Sequence, residues 1–199
     1  MQIIGLLGGV ASGKSMIAQQ FAKLGAGLLD TDCTGHEVLR LPHIEAAARE
    51  RWGNSIFDAD GRINRTQLAH IVFVSGPEGT QERKYLEQIT HPEITRLMRL
   101  QAESLAAKGV KVAVLDAALL LEAGWNDWCD KLVFVDSPRE TRLTRAMARG
   151  WSKEEFAARE GAQESLELKR QRADVIIDNS GPSERTQAQV EQFWTSLLR

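Results

Sequence analysis

GGVASGKS, residues 8–15, separates the apolar run IIGLL (3–7) from MIAQQFAKLG (16–25). A loop this poor in side chains is not there to pack. Gly8, four residues, then Gly13-Lys14-Ser15 is the spacing of a loop that wraps phosphate with its backbone N–H groups. In that reading Lys14 reaches the β- and γ-phosphates and the Ser15 hydroxyl holds Mg²⁺. The order strand, loop, helix is the one such a loop requires, and it argues against an ordinary glycine-rich turn. The expected ligand is a nucleoside triphosphate.

Outward from that loop, five short apolar runs have the character of parallel strands buried on both faces. They are IIGLLG (3–8), GLLD (27–30), VKVAVLD (110–116), KLVFVD (131–136) and DVIID (174–178). Most precede a helical pattern, so the expected fold is α/β with a doubly wound parallel sheet of about five strands. SERTQAQVEQFWTSLL (183–198) places Val190, Phe193, Trp194 and Leu197 on one stripe of a terminal amphipathic helix. Between the second and third runs lie about eighty residues without a strand signal, far more than a crossover needs. They predict helices near 36–41, 43–52, 64–74 and 80–107, the last interrupted at Pro92 because a prolyl residue disfavours helix at His91 before it. The organisation expected is a nucleotide-binding core (1–33, 108–137, 166–199), a helical acceptor insertion (34–107) and a charged helical lid (138–165).

Composition bounds the function class. The 199 residues suffice for one domain with insertions, and 43% hydrophobic with 26% charged residues is ordinary for a water-soluble globule. A net charge of −2 gives no electrostatic footprint for nucleic acid or an anionic membrane, so a small-molecule partner is expected. Cys33 and Cys129 have no metal-ligand spacing and point to a reducing, cytoplasmic setting. No segment has the roughly 18 uncharged apolar residues of a membrane span. The N-terminus lacks a basic leader region, and cleavage there would destroy the loop.

LLDTDC closes the second strand with Asp30 and Asp32 at the carboxyl edge of the sheet, where ligands sit in open α/β folds. Only one of the two is expected to face the reacting oxygen. A phosphoryl transfer to an alcohol wants such a carboxylate to accept the proton, and Asp32 is the better candidate. In the lid, Arg142, Arg145 and Arg149 fall on one helical stripe that could neutralise charge on the transferring group. Arg159 and Gln163 form a weaker case of the same kind. DADGRI (58–63) lacks both end acids of a calcium loop and reads as a polar loop before a helix. No Gly-x-Gly-x-x-Gly is present, and Asp116 either orients Mg²⁺ through water or simply ends its strand.

Taken in order, GGVASGKS, LLDTD, WGNSIFDADGRINRTQLAHIVF, LEQITHPEI, LLLEAG, Arg159 to Gln163 and ADVIIDNSG resemble the dephospho-coenzyme A kinase family over about residues 3–182. The resemblance implies ATP and Mg²⁺ as cofactors and phosphorylation of the ribose 3′-hydroxyl of dephospho-CoA. It implies that Gly8, Gly9 and Ala11, Ser12, Gly13, Lys14, Ser15 and Met16 wrap the ATP phosphates, with Arg142 and Asn179 as further nucleotide contacts. Asp32 is the implied base and Arg149 the lid arginine that reaches the phosphates. Asp30, His36, Arg65, His91 and Arg159 are the implied acceptor contacts. His36 stands where the family usually has Arg, Ala118 replaces a common Pro, and Gly150 replaces an acid. Another small-molecule kinase is the alternative reading. A guanine-nucleotide switch is disfavoured, because no Asn-Lys-x-Asp element occurs.

Overall fold

Isoleucine, leucine and valine crowd the runs that become strands, since branched side chains pack well on a pleated surface. In the computed structural model, which describes residues 1–74 and 76–198, five of them form β1 (Gln2–Gly8), β2 (Gly27–Asp30), β3 (Val112–Asp116), β4 (Lys131–Asp136) and β5 (Val175–Asp178). All pairings are parallel and the order is β2-β3-β1-β4-β5. This is the expected α/β fold, with β1 central and buried from Ile4 to Gly8. One face carries Ile4, Leu6, Val114, Val133 and Ile177, covered by α1 (Lys14–Lys23) and α9 (Ser183–Leu197). Phe21 of α1 meets Phe193 of α9 edge to face at 6.1 Å, a geometry favoured by the ring quadrupole. On the other side of β1, a Cβ at Gly5 would lie 2.7 Å from Cys129 Sγ, so only glycine lets that thiol approach. Burial, with Asp130 adding to it, pushes the Cys129 thiol up to about 12.

The chain divides into two compact units, residues 1–30 with 101–199 and residues 31–100. The division falls three and seven residues earlier than the sequence boundaries at 33/34 and 107/108. The first unit also contains α6 (Arg139–Ala148), α7 (Lys153–Gly161) and α8 (Leu166–Arg172). α7 starts on a reciprocal cap, Ser152 Oγ accepting from Glu155 N at 3.1 Å and Glu155 Oε2 from Ser152 N at 2.9 Å.

The second unit holds α2 (Thr31–Val38), α3 (Pro42–Trp52), α4 (Arg65–Val72) and the start of α5 (Pro77–Ala107). Its core is Ala48, Ile56, Ile63, Leu68 and Val72. DADGRI is a tight turn, Asp58 Oδ1 accepting from Asp60 N and Arg62 N, closed by a bridge between Phe57 and Ile63. Two expectations change here. α2 begins at Thr31, so Asp32 lies in a helix and not on an extended continuation of β2. α5 runs unbroken through Pro92. Pro92 and Gln88, whose carbonyl loses its donor, are both exposed, so the lost bond falls on the solvent side of the helix. No described helix is long and apolar enough to cross a membrane.

Lys169 of α8 is only 2% exposed. Its ammonium pairs with Glu122 at 3.2 Å and donates to Gln163 Oε1 at 3.0 Å, while Glu122 also accepts from Glu164 N at 2.7 Å. Removing one member of a buried pair leaves the other charge uncompensated. Glu122→Ala is therefore expected to cost about 3 kcal/mol, roughly 6–12 °C in Tm for a chain of this size. Adding Lys169→Met should restore part of the loss, and thermal denaturation of both variants checks it.

Candidate nucleotide-binding site

The phosphate loop follows β1 and enters α1 directly, and its backbone is the first thing that marks it. Gly8 has φ 152°, Ala11 57° and Gly13 100°. Ala11 is the one non-glycine residue with positive φ among the described residues, a conformation that persists only where the surroundings hold it. Three glycines are needed for space as well, a Cβ on Gly8 lying 2.9 Å from Val135 O. A Cβ on Gly9 would stand 2.7 Å from the Arg142 guanidinium, and one on Gly13 would collide with the Asn179 amide. Gly13 is also the N-cap of α1 and brings no side-chain cap. The first N–H groups of any helix lack an intrahelical acceptor and carry a partial positive charge, so this terminus is built to take an anion from outside. Lys14 curls back over the loop, its ammonium 3.3 Å from Gly8 O and 3.2 Å from Gly9 O. Ser15 and Met16 are exposed beside it.

The loop is fastened from beneath, and most of the contacts converge on one atom. Ser12 O accepts from Asn179 Nδ2 at 2.8 Å, from Arg145 at 3.0 Å and faces the Ser137 hydroxyl at 3.1 Å. Ser137 and Asn179 stand immediately after the carboxyl ends of β4 and β5, which are hydrogen-bonded neighbours. Arg145 also reaches Ser137 Oγ at 3.1 Å and Asn179 O at 3.0 Å. Arg142 is 2% exposed and donates to Ser137 O at 3.2 Å and Val10 O at 3.4 Å. Val10 itself packs with Ala146 and Phe156, so the loop does pack after all, through its one branched side chain.

The lid arginines thus separate. Arg142 and Asn179, the latter 3% exposed, touch the loop's own carbonyls, and Arg142 with Arg145 faces the loop rather than solvent. A single stripe does not describe them: Arg149 lies past the end of α6 as its exposed C-cap. Arg159 stacks on the Trp151 ring, 4.3 Å from its centroid. Glu160 carries the counter-charge, one oxygen 2.7 Å from Arg142 and the other 2.9 Å from Arg139. Burial works to raise its carboxyl, but the two guanidiniums outweigh that and hold it below the usual carboxylate range. Gly9, Val10, Arg142, Glu160 and Gln163 border a cleft of about 400 Å³. Gln163, singled out with Arg159 in the sequence, accepts from Lys169. Asp30 closes β2 exposed, in register with half-buried Asp116 at the end of β3.

In the second unit Asp32 is exposed in the first turn of α2, and His36 follows one turn later. Asn64 caps α4, accepting from Thr66 N and Gln67 N at 3.1 Å each, which sets Arg65 at the helix start. Arg65 Nη1 comes 3.4 Å from His36 Nδ1, so two of the implied acceptor contacts meet. His91 is half-buried on α5, burial lowering its pKa while Glu87 opposes. Sequence reasoning missed Ser137 and Glu160. The position of Ser137 at the end of a core strand was its available signal; Glu160 had none.

Comparison with known proteins gives the family and the fold. The dephospho-CoA kinase family model matches residues 2–185. A dephospho-CoA kinase of Geobacter sulfurreducens is 41% identical over 98% of both chains. A crystal structure from Thermus thermophilus, 32% identical, superposes with a TM-score of 0.83 over 100% of this chain and 98% of that one. The dephospho-CoA kinase of Campylobacter jejuni, 24% identical, shares the fold with a TM-score of 0.71, over 99% and 98% of the two chains. With a phosphate loop at its sheet edge and a family match over nearly its whole length, the chain belongs to the dephospho-CoA kinase family.

Proposed function

We propose that the chain performs its family's reaction, phosphorylation of the ribose 3′-hydroxyl of dephospho-CoA to coenzyme A, with Mg²⁺ and ATP and with the residues named above in defined roles. The observation that carries the reading is the cradle itself, positive-φ backbone at Gly8, Ala11 and Gly13 leading into an uncapped helix. A Cβ at Gly9 or Gly13 would drive into the Arg142 and Asn179 side chains that hold the loop, and the loop amides suit phosphate oxygens. Lys14, now on two neutral carbonyl oxygens, exchanges them for charged phosphate oxygens.

The donor set around Ser15 fits a hard ion that keeps most of its water. Among the described residues no cluster of three or more His, Cys, Asp or Glu could cage a metal, and magnesium needs only one or two protein ligands beside phosphate. The Ser15 hydroxyl would hold it, with Asp116 acting through water, and when bound it neutralises phosphate charge. Asp32 accepts the proton of the 3′-hydroxyl as its oxygen bonds to the γ-phosphorus and the bond to ADP breaks. Asp30 plays a lesser part beside it. Arg149, exposed at the turn after α6, engages the transferring group. Arg65, His36, His91 and Arg159 bind the acceptor. Neither cysteine forms a disulfide, which accords with a reducing cytoplasmic setting. A small-molecule acceptor, with no nucleic acid or membrane partner, completes the reading.

Three experiments test these roles. Lys14→Ala should abolish turnover with the fold intact by circular dichroism; near-native activity would remove the phosphate-loop assignment. Asp32→Asn keeps size and much of the hydrogen bonding but cannot take a proton at neutral pH. It should lower kcat by about 10²- to 10⁴-fold with both KM values within a few-fold, and Asp30→Asn should cost less. Recovery of Asp32→Asn at high Mg²⁺ would reassign the residue to the metal. His36→Arg replaces a neutral ring with a permanent forked cation beside Arg65. It should lower KM for dephospho-CoA at unchanged kcat, and no change in either would make position 36 peripheral.

A further inference from the structure

Glu160 belongs to none of the roles above, yet it ties three elements together. It sits near the carboxyl end of α7, and both of its oxygens go to the first two turns of α6, to Arg139 at 2.9 Å and Arg142 at 2.7 Å. Arg142 in turn donates to Val10 O of the phosphate loop and to Ser137 O at the end of β4. Arg139 and Arg142 also stand over the Phe156 ring, 5.3 and 5.6 Å from its centroid, and Phe156 is fully buried on Val10 and Ala146. The α6–α7 hairpin is therefore pinned at its base by Glu160, packed at its middle by Phe156, and carries Arg149 at its turn.

We infer that Glu160 is a positioning residue for phosphoryl transfer, registering the hairpin on the phosphate loop through Arg142 so that Arg149 is delivered to the transferring phosphate. The inference rests on the reading of Arg149 as the lid arginine. The phosphate loop is also fastened at Ser12 O by Asn179 and Ser137, which lie outside the hairpin, so losing Glu160 spares ground-state ATP binding. What it loosens is the hairpin, whose turn carries a group that acts in the transition state. Glu160 is held ionised by its two arginines, so the tie persists throughout the neutral range.

A double-mutant cycle on the full chain tests this, with kcat and both KM values measured for Glu160→Ala, Arg149→Ala and the pair. The expectation for Glu160→Ala is a roughly tenfold loss in kcat with ATP KM within twofold, and almost no further loss once Arg149 is alanine. Glu160→Gln keeps an acceptor for one arginine and should recover part of the loss; it also serves as the test if the alanine variant folds poorly. An unchanged kcat in Glu160→Ala and Glu160→Gln, a rise in ATP KM alone, or additive losses in the pair would overturn the inference. An unchanged kcat in Arg149→Ala alone would instead overturn the lid-arginine reading, and the inference with it.

Discussion

Ser12 O accepts hydrogen bonds from Asn179 and Arg145 and faces the Ser137 hydroxyl, and the phosphate loop owes its form to this one carbonyl. A peptide unit is planar and trans, so a carbonyl held toward the protein forces the next N–H to point the opposite way. Fixing Ser12 O thus aims the Gly13 N–H outward, at the mouth of the helix. The same anchorage explains how Ala11 can sit at φ 57°. A strained residue of this kind costs on the order of 1–3 kcal/mol, and it stays put because the atoms on either side of it have nowhere else to go.

The charges around the loop divide the work. Arg142 is buried and answered by Glu160, so its contribution to the long-range field is small and its contribution to shape is large. Arg145 meets only neutral oxygens in this network, so its charge adds positive potential beneath the loop, where a polyphosphate benefits from it. Arg149 is exposed at the hairpin turn. Three arginines within eight residues therefore do three different things, set by how deeply each is buried.

How much of this was legible varied with the range of the interaction. The five strands were readable because apolar runs that bury both faces leave an unambiguous mark, and the loop because its glycines answer to local backbone geometry. The Arg142 and Arg145 contacts were not readable. Helical spacing puts them with Arg149 on one stripe, but spacing carries no information on what the helix lies against, and here it lies against the loop. Asp32 was misjudged in its local conformation because Thr31 and Asp32 prefer neither helix nor strand strongly; the unit that α2 joins decided the matter. At Pro92 the sequence reads as an interruption, whereas α5 continues through it. Glu160 looked like any surface carboxylate until its two arginines were in view.

The donors on Ser12 O lie far along the chain: Ser137 is 125 residues away, Arg145 133 and Asn179 167. β1 likewise takes its neighbours from beyond residue 110. A polypeptide emerging from the ribosome therefore carries the whole GGVASGKS segment long before anything exists to shape it. Loop closure over such distances makes formation slow and late. Capacity for nucleotide arrives only when β5 has been made and docked, so a truncated or half-folded chain is kept from holding a triphosphate in a competent grip.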